Sequence, residues 1–155
     1  MQESMSGDIE EKYAFDTFVS YHETDKEWVT ESLIKLLEDE GIAVCWDDRD
    51  FELGKTVIEN KLNALCSSAS TIAVISPEYS EDEELWLHLR KISGLTNEKI
   101  VEKFLIIPVV FRDGQIPDLF KPIWKLDWTN QTARKFFWSK LVQSIKKQRN
   151  SKFSM

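Results

Sequence analysis

The sequence predicts an α/β domain built on an open, five-stranded parallel sheet with helices on both faces. Three observations carry that prediction. Apolar runs recur near 13–20, 42–46, 71–76, 104–111 and 123–127. Stretches of helical periodicity, two of them opened by capping signals, lie between several of these runs. The first run is almost continuously apolar, as a strand covered on both faces is. Strands alternating with helices in this way give a doubly wound sheet with right-handed crossovers.

Residues 1–12 are polar and acidic, without periodicity, and are expected to form a mobile lead-in. Tyr13–Tyr21 reads as the first strand, closed by polar His22-Glu23-Thr24-Asp25. Thr24 and Glu27 have capping-box spacing, opening a helix with Val29, Leu33, Leu36 and Leu37 on one stripe. Gly41 falls where a left-handed residue would end that helix. Ile42–Trp46 is the second strand. Asp47-Asp48-Arg49-Asp50-Phe51-Glu52-Leu53-Gly54-Lys55 comes next, a charged loop that also displays two apolar residues. Partners and ligands of open α/β sheets bind at the carboxyl ends of strands, where this loop lies. Thr56 and Glu59 form a second capping box, before Ile58, Leu62 and Leu65 at helical spacing.

Thr71–Ser76 is the third strand, ended by a turn at Pro77. Glu81–Ile92 reads as a helix, acidic at its start and basic at its end, as the macrodipole favours. Phe104–Phe111 is the fourth strand, in which Pro108 calls for a bulge or an edge-like position. Arg112–Pro122 is irregular. Ile123–Asp127 alternates as a short, half-exposed fifth strand. A last helix, from about Thr132, should carry Phe137, Trp138, Leu141, Val142 and Ile145 inward, with Trp138 largely buried. Residues 148–155 lose periodicity and should fray.

With 155 residues the chain suits one domain, 13–147, whose core needs no disulfide or metal. Cys45 and Cys66 read as reduced, buried thiols of a cytosolic protein. A net charge of −7 argues against nucleic acid or an anionic membrane as the main partner. No apolar run is long enough to span a bilayer, so no direct membrane insertion is expected. The five glycines are scattered and build no phosphate cradle. His22 and His88 have no Cys or Asp at ligand spacing, so no metal is expected. No Gly-x-Ser-x-Gly elbow supports acyl transfer. A phospho-accepting receiver would need an Asp at the end of strand three, where Ile75-Ser76-Pro77 stands.

Four motifs in order carry a resemblance to a known family. Phe15-Asp16-Thr17-Phe18-Val19-Ser20-Tyr21 resembles the first box of Toll/interleukin receptor (TIR) domains. Arg49-Asp50-Phe51-Glu52-Leu53-Gly54 resembles their Arg-Asp-x-x-Pro-Gly box, with Leu53 in place of proline. Ser76-Pro77-Glu78-Tyr79 is similar to the corner after strand three, and Phe137-Trp138 to the third box. Trp28-Val29 followed by Leu33, Leu37 and Glu38 is similar to the animal receptor and adaptor type. The resemblance implies a flavodoxin-like sheet in the order 2-1-3-4-5 and a cytoplasmic signalling module that associates with other TIR domains. It also implies that the loop of Asp47 to Lys55 makes the contact. Arg49, Phe51, Leu53 and Lys55 are the expected contacting side chains, while Asp50 holds the loop. Phe51 could equally fold back as core.

Some TIR domains cleave NAD, using a glutamate on the third helix four residues after a tryptophan. Counting from Trp86 lands on Arg90, and counting from Tyr79 lands on His88; neither is a carboxylate. Glu83 or Glu84 could substitute only in another helix register. The resemblance therefore implies a binding module without catalytic residue or cofactor, with NAD cleavage as the alternative.

Overall fold

A computed structural model describes residues 13–81 and 84–151. The expected lead-in 1–12, Glu83 and residues 152–155 lie outside the described residues. The strands are β1 (Phe15–Ser20), β2 (Val44–Cys45), β3 (Ser68–Ile75), β4 (Ile106–Val110) and β5 (Leu126–Asp127). They form one sheet in the order β2-β1-β3-β4-β5, and every neighbouring pair is parallel. This is the expected 2-1-3-4-5 topology.

A continuous helical run over 23–39, α1, comes after β1. A one-turn helix, α2 (Asp47–Asp50), comes after β2, and α3 is Val57–Ser67. α4 is Pro77–Glu81, α5 Glu84–Ser93, α6 Asn97–Phe104 and α7 Gln131–Ser151. Alternate residues of β3 serve opposite sides of the sheet. Ala73 and Ile75 join Ala64, Leu65, Leu89 and Ile100 from α3, α5 and α6. Ile72 and Val74 join Val29, Leu33, Leu37, Leu141 and Ile145 from α1 and α7. Both faces are thereby covered, which explains the near-continuous apolar strands.

Several expectations change in detail. Thr24 does not cap α1; the His22 ring does, its Nδ1 accepting from Thr24 N–H at 3.2 Å. Leu36 is exposed, and Ile34 takes its place in the core. The cause is a π-helical stretch, Val29–Leu33, where Ile34 N–H reaches back to Val29 O. The extra residue rotates the remainder of the helix by one position, turning Leu36 outward and keeping Leu37 inward. Gly41 does adopt positive φ, 81°, after the helix.

Of the helix expected over Glu81–Ile92, α5 covers Glu84–Ser93, and helical structure also runs over Pro77–Glu81 before it. α6 was not foreseen; Thr96 caps it by accepting from Lys99 N–H at 3.3 Å. Pro108 lies within β4 without a bulge. Phe111 N–H bonds to Ile75 on the β3 side, while Val110 O accepts from Trp128 on the β5 side. By that alternation Pro108 faces β5, whose pairing begins only at Val109↔Leu126, so no ladder bond is lost. β5 is two residues long, shorter than expected, and Ile123 and Trp124 precede it. Trp138 is half-buried rather than largely buried. α7 continues to Ser151, past the expected end at 147, and Arg149 reaches Asp16 Oδ2 at 3.0 Å. Cys45 is buried, but Cys66 sits on the outward side of α3 and is exposed.

Candidate interaction site

The charged loop joins the carboxyl end of β2 to α3. Its first half is ordered by local hydrogen bonds that its own residues supply. Asp50 accepts from Trp46 N–H at 2.9 Å, closing the α2 turn from below. Asp47 accepts from the Tyr21 hydroxyl at 2.6 Å, tying the loop to the end of β1. Partial burial and the Asp47 carboxylate push the Tyr21 hydroxyl well above its ordinary pKa, so it stays protonated as a donor. Asp48 pairs with Lys26 of α1.

Arg49 turns back rather than outward. It pairs with Glu38 at 2.9 Å and Asp50 at 3.3 Å, and donates to Val44 O. Its guanidinium carbon lies 5.8 Å from the Trp46 ring centroid. Its geometry is that of a brace between α1 and β2, and the side chain is still 44% exposed. Phe51 also turns inward, half-buried, its ring 6.2 Å from that of Phe18. The core reading of Phe51 is the one realised.

The second half hangs on a residue that sequence reasoning passed over. Asn60, buried on the first turn of α3, accepts from Glu52 N–H at 2.8 Å and donates to Glu52 O at 3.1 Å. It thus grips both backbone polar groups of one residue, like a neighbouring strand. The same amide donates to Thr56 O at 3.2 Å. The one available signal was an amide at a position of α3 adjoining the apolar stripe. Thr56 caps α3, accepting from Glu59 N–H at 3.1 Å, as its spacing predicts.

Beyond this clamp the chain turns at Gly54, with φ of 91°. A Cβ there would meet no atom within 4 Å, so the demand for glycine is conformational rather than steric. Leu53 is fully exposed at the tip, and Lys55 pairs with Glu52 at 3.3 Å beside it. An open cleft of about 450 Å³ runs beneath, lined by Tyr21, His22, Phe51, Leu53, Val57 and Lys61 among others. The loop therefore separates into a base anchored as far as the Glu52 backbone and a presented tip of Leu53, Gly54 and Lys55, with the exposed Glu52 side chain beside it.

The other predicted residues are structural. Asp16 accepts from Ala43 N–H at 2.8 Å as well as from Arg149. Ser20 and Trp86 both bond the buried Tyr79 hydroxyl at 3.0 Å. Phe137 and Trp138 pack against Trp124 and Trp128. Of the positions weighed for NAD chemistry, Arg90 is exposed and donates to Asn97 at 3.3 Å, His88 is half-buried and Glu84 is exposed. A cleft of about 280 Å³ adjoins Arg90; the carboxylate lining it is Asp118, which pairs with Lys121 at 2.8 Å. Among the described residues, no group of three or more His, Cys, Asp or Glu could hold a metal ion. No helix there is long and apolar enough to cross a membrane.

Sheet order and anchored loop together define an open α/β domain that presents a shaped loop at the carboxyl end of its strands. The chain belongs to the TIR domain family, whose model matches residues 17–142. It is 37% identical to bovine Toll-like receptor 6 over 149 residues, covering 89% of this chain and 18% of that protein. Mouse Toll-like receptor 6 is 30% identical over the same share of this chain. The chain thus spans under a fifth of the length of these relatives. Among solved structures it is similar to the TIR domain of the Toll-related receptor TRR-2 from Hydra magnipapillata, with a TM-score of 0.71 and 28% identity. That match covers 86% of this chain and 99% of the other. A TIR-STING receptor from C. gigas shares the fold, with a TM-score of 0.61 and 18% identity.

Proposed function

We propose that this domain is a cytoplasmic signalling module that works by associating with other TIR domains through the tip of the Asp47–Lys55 loop. The observation supporting it is the side chain of Leu53, fully exposed beyond a base anchored by Asn60, Asp47 and Asp50. An apolar residue held out on a preordered loop loses little conformational entropy on binding and desolvates fully in a partner's pocket. The flanking Glu52 and Lys55 charges serve orientation and encounter rate more than affinity. Resemblance to Toll-like receptors favours a role in innate-immune signal assembly. The reading assigns no catalytic residue and no cofactor, and incubation with NAD should release no nicotinamide above the buffer rate.

The test is light scattering across a concentration series, with pull-down of a second TIR domain. Leu53→Ala should weaken association by about five-fold or more, the scale of a contact residue. Gly54→Val should weaken it similarly, because a β-branched residue resists positive φ. Both should leave cooperative unfolding in place, since neither position is part of the core. Association equal to that of the parent in both variants would remove the loop tip from the interface.

A further inference from the structure

The net charge of −7 conceals a division of the molecule. Residues 121–151 carry eight Lys or Arg and one Asp, while the rest of the chain carries 12 Lys or Arg and 26 Asp or Glu. α7 holds six of those basic residues and no carboxylate. Arg134 and Arg149 turn inward, onto Trp128 and Asp16. The outward charge is therefore that of lysines. Helical spacing places Phe136, Lys140, Gln143 and Lys147 along one line of the exposed side, with Lys135 beside it.

Two large aromatic side chains project from the same face. Trp124 is 77% exposed and Phe136 is 70% exposed. Trp124 meets the Phe137 ring edge-on at 5.5 Å, and Lys140 Nζ lies 5.2 Å and 4.8 Å from the two ring centroids. Neither Trp124 nor Phe136 lines the clefts beneath the loop and beside α5. The face offers projecting aromatic tips among lysines.

We propose that the outward face of α7, together with Trp124, docks on an anionic lipid surface. An indole lies stably at headgroup depth, and lysine stems cover apolar surface while their ammonium groups reach phosphate. Each lysine near an anionic bilayer adds about five-fold to binding. Whole-chain charge argues against such a surface only when it acts as a point. A domain of this length has a radius of gyration of about 15 Å, whereas charges are screened over about 8 Å at physiological salt. The local lysine face therefore governs the contact, and the acidic remainder orients that face toward the bilayer.

The experiment is co-sedimentation of the full chain with phosphatidylcholine vesicles, with and without phosphatidylserine, while following tryptophan fluorescence. The parent should bind only the phosphatidylserine vesicles, with a blue shift, and should release as salt rises. Lys140→Glu with Lys147→Glu should lower binding by about ten-fold or more. Trp124→Ala with Phe136→Ala should weaken binding and remove most of the shift. All four positions are exposed, so unfolding should remain cooperative, with only a small shift from the lost Trp124–Phe137 and Lys140 contacts. Leu53→Ala should bind vesicles like the parent, separating this face from the loop. Equal binding to both vesicle types, no binding, or charge-reversed protein binding like the parent would overturn the proposal. Loss of self-association in the α7 variants, without vesicle binding by the parent, would also overturn it and assign the face to a second copy.

Discussion

Asn60 shows how a single side chain sets the stiffness of a loop. Its amide bonds the N–H and C=O of Glu52 at once, and removing it takes away both bonds. Asn60→Ala should cost about 1–2 kcal/mol of stability, the usual net scale for two hydrogen bonds lost at a site that water can reach. It should also speed hydrogen exchange at the Glu52 amide, an effect that simple loss of packing would not confine there. Cys45 supplies a second expectation. Burial first, then the Asp50 carboxylate, pushes its thiol from an ordinary 9.0 up to about 12. The folded state thus prefers the protonated thiol, and the associated stability is intact below pH 9.0 and lost as pH rises toward about 12. At neutral pH a thiol reagent should modify Cys66 in the folded protein and reach Cys45 only after unfolding.

At the scale of elements, α7 and β5 are joined to the rest by a run of aromatic rings. Phe111 stacks on Trp28 at 3.9 Å, Trp28 meets Trp128 at 5.4 Å, and Trp128 meets Trp138 at 5.9 Å. Arg134 lies over Trp128 at 5.0 Å and donates to its carbonyl. Trp128 is the buried middle of the run, and Trp138 is its half-buried end, with Nε1 donating to Glu40 at 3.4 Å. Trp128→Ala should therefore cost about 3–5 kcal/mol, and Trp138→Ala about 2. Denaturant titration of the two variants checks the order, and equal losses would contradict it. The shortness of β5 fits this arrangement, since rings do there what a longer ladder would otherwise do.

Across the whole molecule, loops distant in sequence meet above the carboxyl end of the sheet. Arg112, after β4, donates to Asp25 Oδ1 at 2.8 and 3.0 Å and also pairs with Glu78 after β3. Asp25 is 2% exposed, and its Oδ2 has no hydrogen-bond partner, so the arginine carries most of its compensation. Arg112→Ala should cost about 2–3 kcal/mol, below the full cost of breaking a buried pair because the guanidinium is 40% exposed. Asp25→Asn with Arg112→Ala should restore part of the loss, since no buried charge remains. Thermal unfolding of the single and double variants measures that coupling.

By itself the sequence determined the sheet order through its boxes, the two-sided burial of its strands, the Thr56 cap and the position of the loop. Those features are local or periodic, and local chemistry writes them directly: a cap needs one oxygen, and a buried strand needs a run of apolar side chains. The tertiary structure decided what depends on partners far along the chain. Arg49 looked free until Glu38 and Val44 O were brought beside it, and Phe51 looked presented until Phe18 lay beneath it. α6 escaped notice because it is eight residues long and ends on a left-handed Leu105, not the glycine that marks such an end. Leu36 was misplaced because a π-helical stretch leaves no periodic signature of its own. The loop tip was legible in composition, but which of its residues are anchored and which are offered depended on contacts across three elements, and no spacing rule encodes those.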